Sequence, residues 1–210
     1  MDLLLQLLVN GIINGSHYAL LGVGFGLIFA TTRIVHFAYG PVFTFAAYIC
    51  WWISGGMELP LWFGIPAAML AAATLGVVSY LILYRPLELN RAPPLVPLIA
   101  SLGLYIALEN LIGILFGTGV RVVQVDYGIF FLGPVFFTSI HVAQVLSLLV
   151  IGAALWAFLR FTRWGKAILA MTDDPEMARV IGIDTFKVTL LVFVLGSVIS
   201  AVPALSLIHI

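Results

Sequence analysis

Long apolar runs constrain this chain more than any motif does. They cover residues 3–30, 37–53, 61–84, 96–116, 141–161 and the stretch from 188 onward. A helix needs about 20 apolar residues to cross a bilayer, because every backbone N–H and C=O in hydrocarbon must find its partner within the segment. Only the second run is slightly short. The runs therefore predict an all-α, polytopic integral membrane protein with six spanning helices, the last incomplete. A soluble bundle would need polar faces that these runs lack. Charged residues make up 9% of the chain, far below the roughly 25% of soluble domains.

Basic residues give these helices a direction. If the connections at 84–97 and 160–187 face the cytoplasm, then Arg33, Arg85, Arg91, Arg160, Arg163, Lys166, Arg179 and Lys187 lie inside and Arg121 alone lies outside. That asymmetry predicts an outside amino terminus. The turns at 31–41 and 55–60 then fall inside and outside, and the longer loop at 117–137 falls outside.

The one long charged interval runs from 163 to 187 and holds eight of the chain's eighteen charged residues. Asp174 precedes Pro175, which pushes the Asp174 backbone out of the α region and itself suits the first helical position, so the pair predicts an N-cap and a helix start. Gly182 suits a left-handed stop. Over residues 175–181, Met177, Val180 and Ile181 then fall on one face as an apolar knob, with Arg179 beside it. Asp184 reads as the next N-cap. An ordinary interhelical loop helix and a docking element for a soluble partner both fit this pattern.

The first apolar run carries two stripes. Gly11, Gly15, Ala19, Gly22 and Gly26 predict a small-residue packing seam. Asn10, Asn14 and His17 recur on an adjoining face, where polar side chains are costly in lipid and turn toward a bundle interior or a wet cavity. In the fourth run Ser101, Tyr105 and Glu109 follow at four-residue steps with Asn110 beside them. Glu109 lies deep in a spanning segment. These polar residues are expected to face inward and to line an outward-facing vestibule, or else to hydrogen-bond between helices with no transport role.

Several function classes are excluded. The zero net charge leaves no footprint for nucleic acid, and the single Cys50 allows neither an internal disulfide nor a cysteine metal cluster. The four histidines show no metal-binding spacing, no GxSxG elbow occurs, and Gly165-Lys166 lacks the rest of a phosphate loop. Gly22, Gly24 and Gly26 sit in an apolar helix with no preceding strand, so they do not read as a dinucleotide loop. No cofactor is expected, and the apolar amino-terminal run, with Asp2 before it, does not read as a cleaved signal peptide.

Five blocks in order, Asn14-Gly-Ser-His-Tyr-Ala-Leu-Leu, Thr32-Arg-Ile-Val-His-Phe-Ala-Tyr-Gly40, Tyr84-Arg-Pro-Leu87, Leu98-Ile-Ala-Ser-Leu-Gly103, and Gly165 through Gly182-Ile-Asp184, resemble the LivH-type permeases of branched-chain amino acid ABC transporters. Glu176-Met177-Ala178, three residues and Gly182 are similar to the EAA-x-x-x-G coupling loop of importer permeases. The resemblance implies one permease domain over residues 1–210, shortened at its carboxyl end, with a cytoplasmic coupling loop at 162–187. Glu176, Met177, Ala178, Arg179, Val180, Ile181 and Gly182 would seat on ATP-binding cassette ATPase subunits, which hydrolyse the ATP. A second permease subunit and an extracytoplasmic substrate-binding protein are the other implied partners, in the bacterial inner membrane. The chain departs from the family's pattern at His36, where Asn is usual, at Pro41, where an acid is common, and over residues 206–210. Outside the family, a secondary transporter or pore with Glu109 as an ion or proton site also fits, as does a membrane scaffold or an enzyme whose site lies elsewhere.

Overall fold

The computed structural model describes residues 2–117, 119, 128–132 and 135–207. Arg121 and residues 208–210 lie outside the described residues. Among the described residues, five helices are long and apolar enough to cross a membrane: Leu3–Thr32, Leu61–Leu89, Leu95–Phe116, Ser139–Phe161 and Thr185–Ala204. The first is α1, Asp2–Thr32. The second comprises α3, Leu61–Ser79, a wider π turn at Tyr80–Tyr84, and α4, Arg85–Leu89. The others are α5, Leu95–Phe116, α6, Ser139–Phe161, and α9, Thr185–Leu207. The short second run forms α2, Tyr39–Trp51, which continues through a π turn at Trp52–Gly56.

Helix α9 is the hub of the bundle, packed by α1, α2 and α3. Val192, Phe193, Ser197, Ser200, Ala201 and Ala204 along it are buried. Small residues make this possible. A Cβ on Gly24 would lie 2.9 Å from the Gly196 carbonyl oxygen and collide with the Tyr39 hydroxyl, and one on Gly196 would lie 2.7 Å from Ile28. The Tyr39 hydroxyl donates to that carbonyl at 3.2 Å, so three helices share one crossing point. Gly76 meets Ser197 in the same way where α3 crosses α9.

The seam expected along Gly11, Gly15, Ala19, Gly22 and Gly26 is not made among the described residues. A Cβ on any of the four glycines would meet nothing within 4 Å, and Ala19 is exposed. The face of α1 that packs carries Ile13, Ser16, Leu20, Gly24, Leu27 and Ile28, again at three- and four-residue steps. Small residues occur on both faces, and only large apolar neighbours distinguish the one that is covered.

At one end of the bundle an aromatic cluster joins the α1–α2 turn to α3 and α9. Phe193 stacks on Tyr80 at 5.1 Å and meets the His36 and Tyr84 rings edge-on or tilted at 5.4 and 5.6 Å. The Arg85 guanidinium lies 3.6 Å over the Phe186 ring, a cation–π contact. At the other end, the connection expected as a plain loop at 117–137 contains a hairpin. Strand β1, Ile129–Leu132, pairs antiparallel with β2, Val135–Thr138, with Phe131 opposite Phe136. Gln6 of α1 binds both backbone groups of Phe136, at 3.0 and 3.1 Å.

Candidate functional site

Between α6 and α9 the chain builds two helices on the bundle end that carries Arg33, Arg85 and Arg91. Thr162 leaves the helical conformation, at ψ 155°, and its side chain accepts from the Gly165 amide at 2.9 Å to start α7, Arg163–Asp173. The corner is tight. A Cβ on Gly165 would run into the backbone of Phe158 and Leu159, so the bend from α6 into α7 requires glycine. Gly165, Ile168 and Met171 are buried on the bundle side. The Arg33 guanidinium donates to the Thr172 carbonyl at 3.1 Å, a cation placed on the last turn of α7.

Asp174 ends α7 and begins α8, Pro175–Val180, accepting from the amides of Glu176 and Met177 at 2.9 and 3.0 Å. The expected cap is present. Beyond α8, Gly182 has φ +89°. Its amide donates to the Arg179 carbonyl and that of Ile183 to the Ala178 carbonyl, at 3.1 and 3.0 Å. Those paired bonds make a Schellman stop, which needs a left-handed residue at this position. Asp184 then accepts from the Lys187 amide at 3.2 Å and pairs with its ammonium at 3.0 Å, as expected of the next cap. These contacts hold the Asp184 carboxyl below its ordinary pKa, the hydrogen bond from the Lys187 side chain contributing most.

The burial pattern divides α8 in two. Ala178 is 1% exposed and inserts into the core, whereas Met177, Val180 and Ile181 are 56%, 80% and 65% exposed. Glu176, Arg179 and Gly182 are exposed around them. A rigidly capped helix thus presents three uncovered apolar side chains rimmed by charge. Such a patch suits a protein partner rather than water.

The polar residues of the long helices are not gathered into one site. Glu109 and Asn110 line a cleft of about 510 Å³ with Thr44 and Tyr48 of α2, and neither Asn10, Asn14, His17 nor Ser101 borders it. Asn10 and Asn14 are exposed, and Asn10 accepts from Gln6 at 3.1 Å. His17 is half-buried. Ser101 is fully buried, its hydroxyl accepting from the Phe37 amide at 2.6 Å, which pins α5 to the α1–α2 turn. Among the described residues, Ser101 is thus enclosed and Glu109 borders a cleft, whereas Asn10 and Asn14 lie on the exposed first half of α1. Among the described residues no group of three His, Cys, Asp or Glu could hold a metal ion.

Sequence reasoning missed α7. Its signal was available in Thr162 as a cap and in the spacing of Ile168 and Met171. It also missed His36 as a core residue, since a buried imidazole has no sequence pattern that separates it from an exposed one.

Residues 7–208 match the family model described as the branched-chain amino acid transport system / permease component. Among curated proteins, the chain is 29% identical to the high-affinity branched-chain amino acid transport system permease protein LivH of Salmonella typhimurium and of Escherichia coli, covering 97% of this chain and 70% of each relative. It is 28% identical to the corresponding BraD protein of Pseudomonas aeruginosa, with the same coverage. No solved structure matches.

Proposed function

We propose, from the premise that this chain belongs to the family of branched-chain amino acid transport permease components, that it is the spanning subunit of an ATP-driven importer for aliphatic amino acids. It performs no chemistry itself. ATP is hydrolysed by separate cassette subunits, a second permease completes the pathway, and an extracytoplasmic binding protein delivers the substrate, all at the bacterial inner membrane. Residues 1–210 belong to a single permease domain whose coupling loop is 162–187. The amino terminus is outside, and the end bearing α7 and α8 is cytoplasmic.

The observation that carries this reading is the capped α8 with its exposed apolar knob. Force must pass from a soluble ATPase to membrane helices, and α8 is tied to both. Its Asp174 cap abuts α7, and its Schellman stop leads within two residues into the central α9. Met177, Val180 and Ile181 seat in the ATPase, with Glu176 and Arg179 flanking. The cleft of Glu109, with Thr44 and Tyr48, contributes to the substrate path once the second permease closes it, and Asn10, Asn14 and His17 face that partner.

Reconstitution with the cassette subunits tests this. Glu176→Lys should weaken ATPase co-purification and substrate-stimulated hydrolysis while leaving membrane insertion and binding-protein docking intact. Unchanged hydrolysis and transport in that variant would remove α8 as the coupling element. Uptake that depends on Glu109 and ignores ATP would replace the importer with an ion-coupled transporter.

A further inference from the structure

Beneath α8 lies a second cleft of about 280 Å³, bordered by the ends of α1, α4, α8 and α9. Its floor is buried and mixes hydroxyls with apolar groups: Thr31 is 2% exposed, Tyr84 1%, Met171 4% and Thr189 5%. Ile34, Leu87 and Pro97 add an apolar wall. Charge is confined to the exposed rim, where Glu88, Arg91 and Arg179 stand. These opposite charges are not paired with one another. The ion pair found among the described residues is Asp184–Lys187, and Glu88 accepts from the Tyr80 hydroxyl at 3.2 Å.

Arg91 occupies a backbone position that favours glycine. Its φ is +49°, and the amides of Arg91 and Ala92 close the end of α4 on the carbonyls of Glu88 and Leu87. A Cβ in this left-handed conformation crowds the following carbonyl oxygen, so the fold alone would prefer glycine. Arg33 is held in the same left-handed way, at φ +58°, and its guanidinium has a use on Thr172. The Arg91 guanidinium has no such partner among the described residues and borders the cleft.

We propose that this cleft binds one free α-amino acid with an aliphatic side chain. Arg91 and Arg179 take its carboxylate, Glu88 its ammonium, and the wall of Ile34, Leu87, Pro97 and Met171 its side chain. A pure anion would meet Glu88 and a pure cation would meet two guanidinium groups, so a zwitterion fits the rim best. The volume suits a single small molecule rather than a peptide. Because Pro175 and Arg179 belong to α8, an occupant bridges the coupling helix to α1, α4 and α9 and opposes its displacement. Binding then couples to the ATPase by the difference in affinity between the two arrangements. On the orientation under Proposed function, on which this inference rests, the cleft samples the cytoplasm and slows import when the product accumulates.

A phosphatidylethanolamine headgroup carries the same pair of charges, and the test separates the two. Radiolabelled leucine is equilibrated with the full transporter complex in detergent free of phosphatidylethanolamine, without the binding protein. Saturable binding is expected, competed by isoleucine but by neither leucinol nor 4-methylpentanoate, each of which lacks one charge. Arg91→Gln and Glu88→Gln should each weaken it about tenfold or more. Binding unchanged in both variants, competition by either single-charge analogue, or no saturable binding overturns the proposal. So does protection of an Arg91→Cys thiol by phosphatidylethanolamine nanodiscs but not by leucine, which would identify a lipid as the occupant. Binding-protein-delivered leucine uptake, measured on the same preparation, tests the transport reading separately. Uptake without cleft binding overturns only this inference, and cleft binding without uptake overturns only the transport reading.

Discussion

The Nδ1 nitrogen of His36 lies 2.7 Å from the Tyr84 hydroxyl, joining the α1–α2 turn to the π turn between α3 and α4 through a fully buried imidazole. The other ring nitrogen, Nε2, is buried without a partner. Burial holds the imidazole neutral by pushing its pKa down from 6.5 to about 4. Protonation would therefore place an uncompensated charge among Tyr39, Tyr84 and Phe193.

The sign of the pH dependence follows. As pH falls through the window from 6.5 to about 4, the unfolded chain takes up this proton before the folded one, so stability present above the window is lost within it. The loss should reach about 3 kcal/mol. Thermal unfolding in detergent across that window measures it. His36→Asn, which cannot titrate, should flatten the acid limb, and an equally steep limb in the variant would show that other groups set it.

Glycines on two faces of α1 should respond oppositely to substitution. Gly24→Val places a side chain against Tyr39 and the Gly196 carbonyl and should abolish the α1–α9 crossing, at a cost of several kcal/mol. At Gly22 an added Cβ meets nothing within 4 Å among the described residues, so Gly22→Val is the contrasting change. It should leave the isolated subunit folded, as judged by detergent gel filtration and protease resistance. If it weakens only the assembled transporter, the exposed stripe is a contact between subunits.

At Gly182 an added Cβ finds open space, yet φ is +89°. Gly182→Ala should therefore cost roughly 1 kcal/mol through the backbone alone. Asp174→Ala should cost a similar ~1 kcal/mol by removing the cap. Both changes should raise hydrogen exchange in α8 while exchange in α9 stays slow. Exchange that rises equally in α9 would mean that α8 is not an independent cooperative unit.

Orientation is open to thiol labelling. With Cys50 replaced by Ala, a cysteine at Lys166 should resist an impermeant reagent added to intact cells and react after permeabilisation. Lys166 is exposed on α7 and Cys50 is buried, so accessibility will report sidedness. Strong labelling of intact cells would invert the topology.

Much of the charged segment from 163 to 187 was legible because its signals are local. Asp174, Pro175, Gly182 and Asp184 act on backbone groups within a few residues, and each does what its chemistry requires. The spanning helices were legible because hydrocarbon allows little else. Partner faces were not, since Gly24 and Gly22 differ only in what the distant α9 brings to them. Nor was the hairpin, because the residues of β1 and β2 sit in a segment whose apolar content suits a strand and a loop in a membrane protein alike. Glu109 was legible as unusual, but its cleft depends on Thr44 and Tyr48, which no spacing links to it.

The pair of hydrogen bonds between Gln6 and Phe136 gives the hairpin something it would otherwise lack. Phe136 directs its N–H and C=O away from β1, along the free edge of a two-stranded ribbon. An unpaired edge is a template on which another chain can add a strand and begin to aggregate. The carboxamide of Gln6 fills both valences at once, standing in for one residue of a third strand, so the outermost ornament of the fold is closed to strand addition at that point by a side chain from its first helix.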